Sequence, residues 1–275
     1  MASPRVLGGP PPFLILTARL PAGTKDDGRC GDCPPVLSLV LADSELEPVP
    51  EPLRDHPTVT KPAQRKDVDP ERMLLDASIH HWAMDEHDLD EREGRGRPDL
   101  AHLFLLNALD SALNLEGGLQ THIHTRNDEH VRIDPATRII RAYPRFKGLM
   151  GQLFAEGEVG PPDRDPLMQL AKPAPLAAVL DRIDADRVIA LDPEGQATDP
   201  AEKLAWHAGE HDHVCLVLGG FPSGSYTSSV DRLADETWSI HPKPLSVWTA
   251  ASEVLVHWRH ITQGMSVHRG PEPEP

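Results

Sequence analysis

Between positions 132 and 147 the chain places Arg132, Arg138, Arg141, Arg145 and Lys147 beside a single acid, Asp134. Guanidinium groups three and four residues apart can present several donor forks to one polyanionic backbone, so phosphate is the first partner to consider. Upstream, Arg97-Pro98-Asp99 sets a carboxylate two residues from a guanidinium, which can fix the fork without consuming all its donors. Downstream, GGFPSG at 219–224 lets backbone amides come close to a ligand, although any tight turn after a strand favours glycine. Two further clusters suggest a metal. Cys30-x-x-Cys33 supplies only half of a four-ligand site, and His207-x-x-x-His211-x-His213 with Cys215 reads as a polar turn before a buried strand. No metal is expected. His80 and His81 are neighbours on a helix, point in different directions and read as local packing.

The elements that would position these groups can be read in order. VLSLVLADSELEPV at 36–49 opens on an apolar run that suits a buried first strand, ending where Asp43 and Ser44 begin a turn. Asp69-Pro70 supplies a cap and a first-turn proline for a helix running through Met73, Leu74 and Ala77 to Met84, followed by a charged, glycine-broken loop at 85–97. Pro98 opens a second helix, with Leu100, Leu103, Phe104 and Asn107 at helical spacing and Asp99 favourable to its dipole. Residues 119–125 and 131–133 form a hairpin, after which Arg138, Arg141 and Arg145 can converge on one groove. A helix from near Pro144 buries Phe146, Leu149, Met150, Leu153 and Phe154. RVIAL at 187–191 and VCLVL at 214–218 are the β-branched and aliphatic runs of parallel, doubly covered strands. A shorter strand at 238–241 leads into Pro242-Lys243-Pro244 and a last helix carrying Leu245, Trp248, Ser252 and Leu255.

Composition sets the bounds. With 275 residues and 39% hydrophobic content the chain can bury a sizeable core, as one large domain or two small ones. A net charge of -16 excludes a general nucleic-acid coat but leaves room for a local basic patch. The acidity fits a salt-rich cytoplasm and a GC-rich genome equally well. Three cysteines make no disulfide framework, no apolar run has the length of a membrane span, and FLILTARL at 13–20 is too short for a secretory core, so a cytoplasmic protein is expected. Residues 1–35, dense in proline and glycine, are expected to be disordered unless Phe13–Leu16 adds an edge strand. The folded domain is expected at 36–262, with a flexible tail at 263–275.

Several separated motifs carry a resemblance in the right order: LLDASIHHWAM at 74–84, Arg97-Pro98-Asp99, LDS-x-LN at 109–114, TRIIR at 137–141, RFKGLMGQLF at 145–154 and LGGFPSG at 218–224. From about Leu37 to about Ile261 the chain resembles the small-subunit ribosomal RNA pseudouridine methyltransferases, a SPOUT-class family. The resemblance implies an α/β-knot fold, a parallel sheet flanked by helices with a C-terminal trefoil knot, and an inserted RNA-binding hairpin region. It implies RNA contacts at about 95–150, with Arg97 oriented by Asp99 and with Arg138, Arg141 and Arg145. S-adenosyl-L-methionine is implied at about 187–262, wrapped by three loops: Leu191 to Gly195, Gly219 to Gly224, and Ile240, His241, Pro242, Lys243, Pro244 and Leu245. Ala112 and Leu115 depart from the family's usual proline and lysine, which puts one phosphate or base contact in doubt.

The implied reaction is methylation of ring nitrogen one of a pseudouridine in small-subunit ribosomal RNA. It requires a proton acceptor as the sulfonium methyl arrives, and Asp110 is the expected carboxylate. The resemblance also implies a homodimer. The helix from Leu245 to Ile261, with Trp248, Leu255 and Trp258, reads equally as its seam or as intramolecular core. Two other readings stay open: an RNA-binding ribosome-assembly protein without catalysis, and the same chemistry on transfer RNA.

Overall fold

A computed structural model describes residues 34–263. Pro34 and Pro35 lack regular structure; the remainder of the expected extension, with Phe13–Leu16 and Cys30-x-x-Cys33, and the tail beyond Gln263 lie outside the described residues. The order begins β1 (Val36–Ser44), α1 (Pro57–Lys66), α2 (Ala77–Glu86), α3 (Pro98–Leu109) and the single turn α4 (Ala112–Leu115). The hairpin β2 (Leu119–Thr125) and β3 (His130–Ile133) follows, then α5 (Tyr143–Glu156), β4 (Glu158–Val159), β5 (Met168–Ala171) and α6 (Leu176–Ile183). The last part runs β6 (Arg187–Ala197), α7 (Pro200–Glu210), β7 (His213–Gly219), α8 (Val230–Leu233), β8 (Glu236–Ser239) and α9 (Val247–Gln263).

All strands join one eight-stranded sheet in the order β4-β5-β3-β2-β1-β7-β6-β8. Neighbours from β2 to β8 run parallel, and the hairpin edge is antiparallel. The central β1 is covered on both faces, which explains its unbroken apolar run. Leu37, Leu39 and Leu41 face α3, α5, α7 and α9 in a core that includes Phe104, Phe146, Trp238 and Trp258. Val40 and Ala42 face α6 and α8 beside Val179, Cys215, Val217 and Val230. Val49 and Leu53 form a smaller core with α1 and α2. No helix among the described residues is long and apolar enough to cross a membrane.

One local expectation is met and one corrected. The first strand ends at Ser44 as expected, where Asp43 takes a left-handed φ of 49° and the register with β2 shifts between Leu41 and Ser44. The helix expected from Asp69-Pro70 is only a 3-10 turn at Pro70–Arg72; Met73–Leu75 is extended, with Val49 N–H donating to Met73 O (2.7 Å) and Leu75 N–H to Glu47 O (3.0 Å). Asp76 then caps α2 by accepting from Ser78 N–H at 3.0 Å. Of the two readings of the last helix, the burial of Leu255 and Trp258 fits intramolecular core. Trp258 is 0% exposed, and truncating an aromatic buried this fully costs about 3–5 kcal/mol.

Buried histidines set the acid limit of the fold. Burial holds His80 at about 4, against the opposing pull of Asp76. Burial also holds His122 at about 3 and His130 at about 4, with His130 and Arg132 adding to the first and Arg182 and His124 to the second. An unfolded histidine titrates near 6.5, so between that pH and about 4 the unfolded chain takes up protons that the folded chain refuses, and stability falls as pH falls. Each group contributes up to about 1.4 kcal/mol per pH unit in this window. Urea midpoints should therefore drop steeply from pH 7 to pH 5, and His122→Gln should flatten the slope by about one proton; equal slopes would show that His122 already titrates normally.

Candidate functional site

Because β6, β7 and β8 are parallel, their carboxyl ends reach the same edge of the sheet, where they surround a cleft of about 600 Å³. The first wall is a break in β6. Leu191 and Gln196 both pair with Trp238, so residues 192–195 leave the ladder and return. Pro193 has no N–H to pair, and Asp192 Oδ1 accepts Glu194 N–H at 2.8 Å, closing a local turn. Leu191, Asp192 and Pro193 line the cleft. Gly195 does not, contrary to expectation: a Cβ there would lie 2.8 Å from the Trp238 carbonyl carbon, so glycine is needed for the chain to rejoin the sheet.

The second wall is the glycine-rich turn. Gly219 and Gly224 line the cleft, the latter at a φ of 96°. Gly220 serves the fold: its N–H donates to Ala42 O at 2.7 Å, its carbonyl accepts from Glu45 N–H at 3.1 Å, and a Cβ would meet Ser44 Cα at 2.6 Å. Tyr226 closes the turn, its hydroxyl donating to Leu191 O at 2.8 Å, so the first two walls are tied together. Burial raises this phenol well above the usual tyrosine range, and it stays a donor.

The third wall is Ile240, His241, Lys243, Pro244 and Leu245, with Lys243 N–H donating to His241 Nδ1 at 3.1 Å. Pro242 shapes this turn without lining the cleft, a second departure from expectation. Trp238 and Trp248 complete the lining, and Arg97 and Leu100 reach it from the start of α3.

Arg97 brings a cation to the cleft. Its guanidinium donates twice to Asp99 (2.8 and 2.7 Å), as the motif suggested, and this pairing holds it protonated. Its N–H donates to Glu45 O at 3.1 Å, while Glu45 N–H donates to Gly220 O, so one residue links Arg97 to the glycine turn. Arg132, Arg138, Arg141 and Arg145 are exposed. Arg141 contacts Asp110 at 3.3 Å; among the described residues no ion pair holds Arg138 or Arg145. Lys147 is no free cation: it binds Asp76, which also accepts from Tyr143 Oη at 3.1 Å.

Asp110 is not where the expected chemistry needs it. It caps the carboxyl end of α3, whereas Arg97 meets the cleft at the amino end, and a 12-residue helix separates the two by roughly 18 Å. The outer side of α3 carries Asp99, Leu103 and Asp110 at helical spacing, with Leu103 39% exposed and Leu106 beside it partly buried against the core.

The histidine cluster also disperses. His207 Nε2 lies 3.1 Å from Glu236 Oε1 and stacks on His211, while His213 bonds Ser38 Oγ at 2.8 Å. Cys215 is wholly buried, its thiol pushed up to about 12 by burial, which makes it no nucleophile. Of the groups missed from sequence, Asp192 had a signal, an acid directly after a strand's carboxyl end. Tyr226 and Trp238 had none, since their role depends on chain crossings.

Parallel strands delivering three loops to one cleft, with Arg97 in its lining, define a methyltransferase of the SPOUT α/β-knot class. Residues 39–258 match the EMG1/NEP1 methyltransferase family, and the chain belongs to that family. It is 44% identical over 225 residues to the ribosomal RNA small subunit methyltransferase Nep1 of Methanothrix thermoacetophila, covering 82% of this chain and 96% of that protein. The Pyrococcus furiosus Nep1 is 42% identical over 222 residues, with 81% and 96% covered. The crystal structure of Archaeoglobus fulgidus Nep1 bound to S-adenosylhomocysteine is similar with a TM-score of 0.71 at 29% identity, covering 83% of this chain and 99% of that one.

Proposed function

We propose that this chain transfers a methyl group from S-adenosylmethionine to small-subunit ribosomal RNA, at ring nitrogen one of a pseudouridine, in the cytoplasm. The observation that carries the reading is Arg97, which lines the cleft with its guanidinium fixed by Asp99, so that an RNA phosphate or base held by this arginine would lie beside a ligand in the cleft. The cleft's residues suit the methyl donor. Leu191, Ile240 and Leu245 offer apolar surface to a flat base, and Asp192 offers a carboxylate to a sugar diol. Bound there, S-adenosylmethionine supplies an electrophilic methyl on a cationic sulfur. Exposed Arg138, Arg141 and Arg145 hold backbone phosphates, and Arg97, fixed by Asp99, keeps a donor for the flipped nucleotide.

Removal of the ring proton falls to Asp110, supplied by a second copy of the chain. A two-fold axis near Leu103, midway along α3, sets the helix antiparallel to its copy and brings Asp110 of one opposite Arg97 of the other. Leu103 and Leu106 meet at the centre of such a pairing. At its ends each carboxylate faces a guanidinium: Arg97 meets Asp110, and Arg141 meets Asp99. The homodimer is thus the working unit of this reading.

Labelled methyl transfer to two RNA hairpins, identical except for uridine or pseudouridine at the target, tests it. Label on the pseudouridine RNA alone is expected. Binding of both ligands with label on neither RNA would leave an assembly role without catalysis. A separate check concerns the phosphate path: Arg138→Ala should weaken RNA binding and lower the salt slope by roughly one while sparing S-adenosylmethionine affinity. A slope equal to wild type takes Arg138 out of that path.

A further inference from the structure

Asp43 is an aspartate in a conformation that favours glycine. Its φ is 49°, it is 2% exposed, and it sits at the carboxyl end of β1 rather than in a surface turn. A side chain kept at such a backbone position points to work done by the side chain itself. Its carboxylate is fully engaged. Oδ2 accepts the amides of Thr227 (2.8 Å) and Ser228 (2.9 Å), and Oδ1 accepts the Ser228 hydroxyl at 2.6 Å. On the other side His124, 1% exposed, sets Nδ1 3.3 Å from the Asp43 amide and 3.4 Å from Oδ1, and its Nε2 lies 3.2 Å from Asp128 Oδ1.

The residues held by this carboxylate follow directly on Tyr226, which lines the cleft and ties the glycine turn to Leu191. The segment that leaves β7 at Gly219 and crosses the cleft through Phe221 and Ser223 is therefore pinned at its far end by one buried acid on another strand. Hydrogen bonds hold that acid ionised at about 2 against the cost of its burial. Fixing a loop in its ligand-ready shape before binding removes an ordering cost that would otherwise subtract from affinity.

We propose that Asp43 is a positioning residue for the methyl donor: its carboxylate holds residues 226–228 so that the 219–226 loop is preformed for S-adenosylmethionine. The inference rests on the reading of the cleft as the methyl-donor site. It concerns no group that touches RNA.

Two variants separate this role from simple support of the fold. Asp43→Gly removes the carboxylate while suiting the left-handed backbone, and Asp43→Asn keeps the shape with one acceptor oxygen. Calorimetric titration with S-adenosylmethionine should show Kd raised about tenfold or more in Asp43→Gly and less in Asp43→Asn. The KM for S-adenosylmethionine should rise in parallel, with kcat at saturation and RNA affinity near wild type. Ser228→Ala should shift Kd the same way by a smaller factor. Wild-type Kd in folded Asp43→Gly would overturn the proposal, as would equal losses of RNA and S-adenosylmethionine binding tracking a smaller folded fraction. Gly219→Val serves as the control. If it leaves S-adenosylmethionine binding intact, the reading of the cleft has failed; if it weakens binding while both Asp43 variants bind normally, only the role of Asp43 has failed.

Discussion

Gly219→Val should raise the Kd for S-adenosylmethionine about a hundredfold while the protein stays folded and still binds RNA. A Cβ at this position would lie 2.7 Å from Phe221 Cζ and 2.8 Å from Cε1, and both residues line the cleft. Valine adds two further methyl groups, so the phenyl ring must leave its place and fill the space that a ligand needs. The ring can move, so the clash costs the fold little; the cleft loses its shape. Overpacking of this kind costs a few kcal/mol, which corresponds to a Kd raised about a hundredfold. Calorimetric titration with S-adenosylmethionine measures it, thermal unfolding near wild type shows the loss to be local, and retained affinity would mean that the ligand binds elsewhere.

The second large effect is that Asp110→Asn should lower methyl transfer by about a hundredfold to ten-thousandfold, the range for losing a general base, with both ligands still bound. The proposed arrangement across two copies predicts a sharper result. Arg97→Ala and Asp110→Asn should each be inactive alone, yet mixed and reassociated they should recover about a quarter of wild-type activity, because half of the dimers are mixed and each of those holds one intact site. A mixture as inactive as its components would place Arg97 and Asp110 in one chain's site and end the antiparallel α3 arrangement.

Much of this fold is legible from local pattern. The helices at Pro98–Leu109 and Tyr143–Glu156 follow their apolar spacing, and the hairpin at 119–133 follows its alternation and turn. What local pattern cannot carry is the partner brought from far along the chain. Lys147 looks like one more cation for RNA until Asp76, 71 residues earlier, is found against it. Leu74 and Leu75 fit a helix until the 47–49 segment offers their backbone a better set of hydrogen bonds. Gly195 and Asp192 share one loop, and only the return of β6 to Trp238 shows which faces the cleft and which faces the sheet. Asp110 was legible as a residue type and motif; its distance from the cleft depends on the length and direction of α3.

Glu45 gives the molecule a thermodynamic consequence. Its amide holds Gly220 and its carbonyl holds Arg97, so the backbone that borders the cleft and the backbone that carries the proposed RNA-contacting arginine meet in a single residue. Its carboxylate is clamped by Arg126 at 2.7 Å, so the junction is stiff. In the proposed reading, a shift of Arg97 on seating RNA would pass through this residue to Gly220 and link the two ligands' affinities. Linkage is mutual: the factor by which a filled cleft tightens RNA is the factor by which bound RNA tightens the methyl donor.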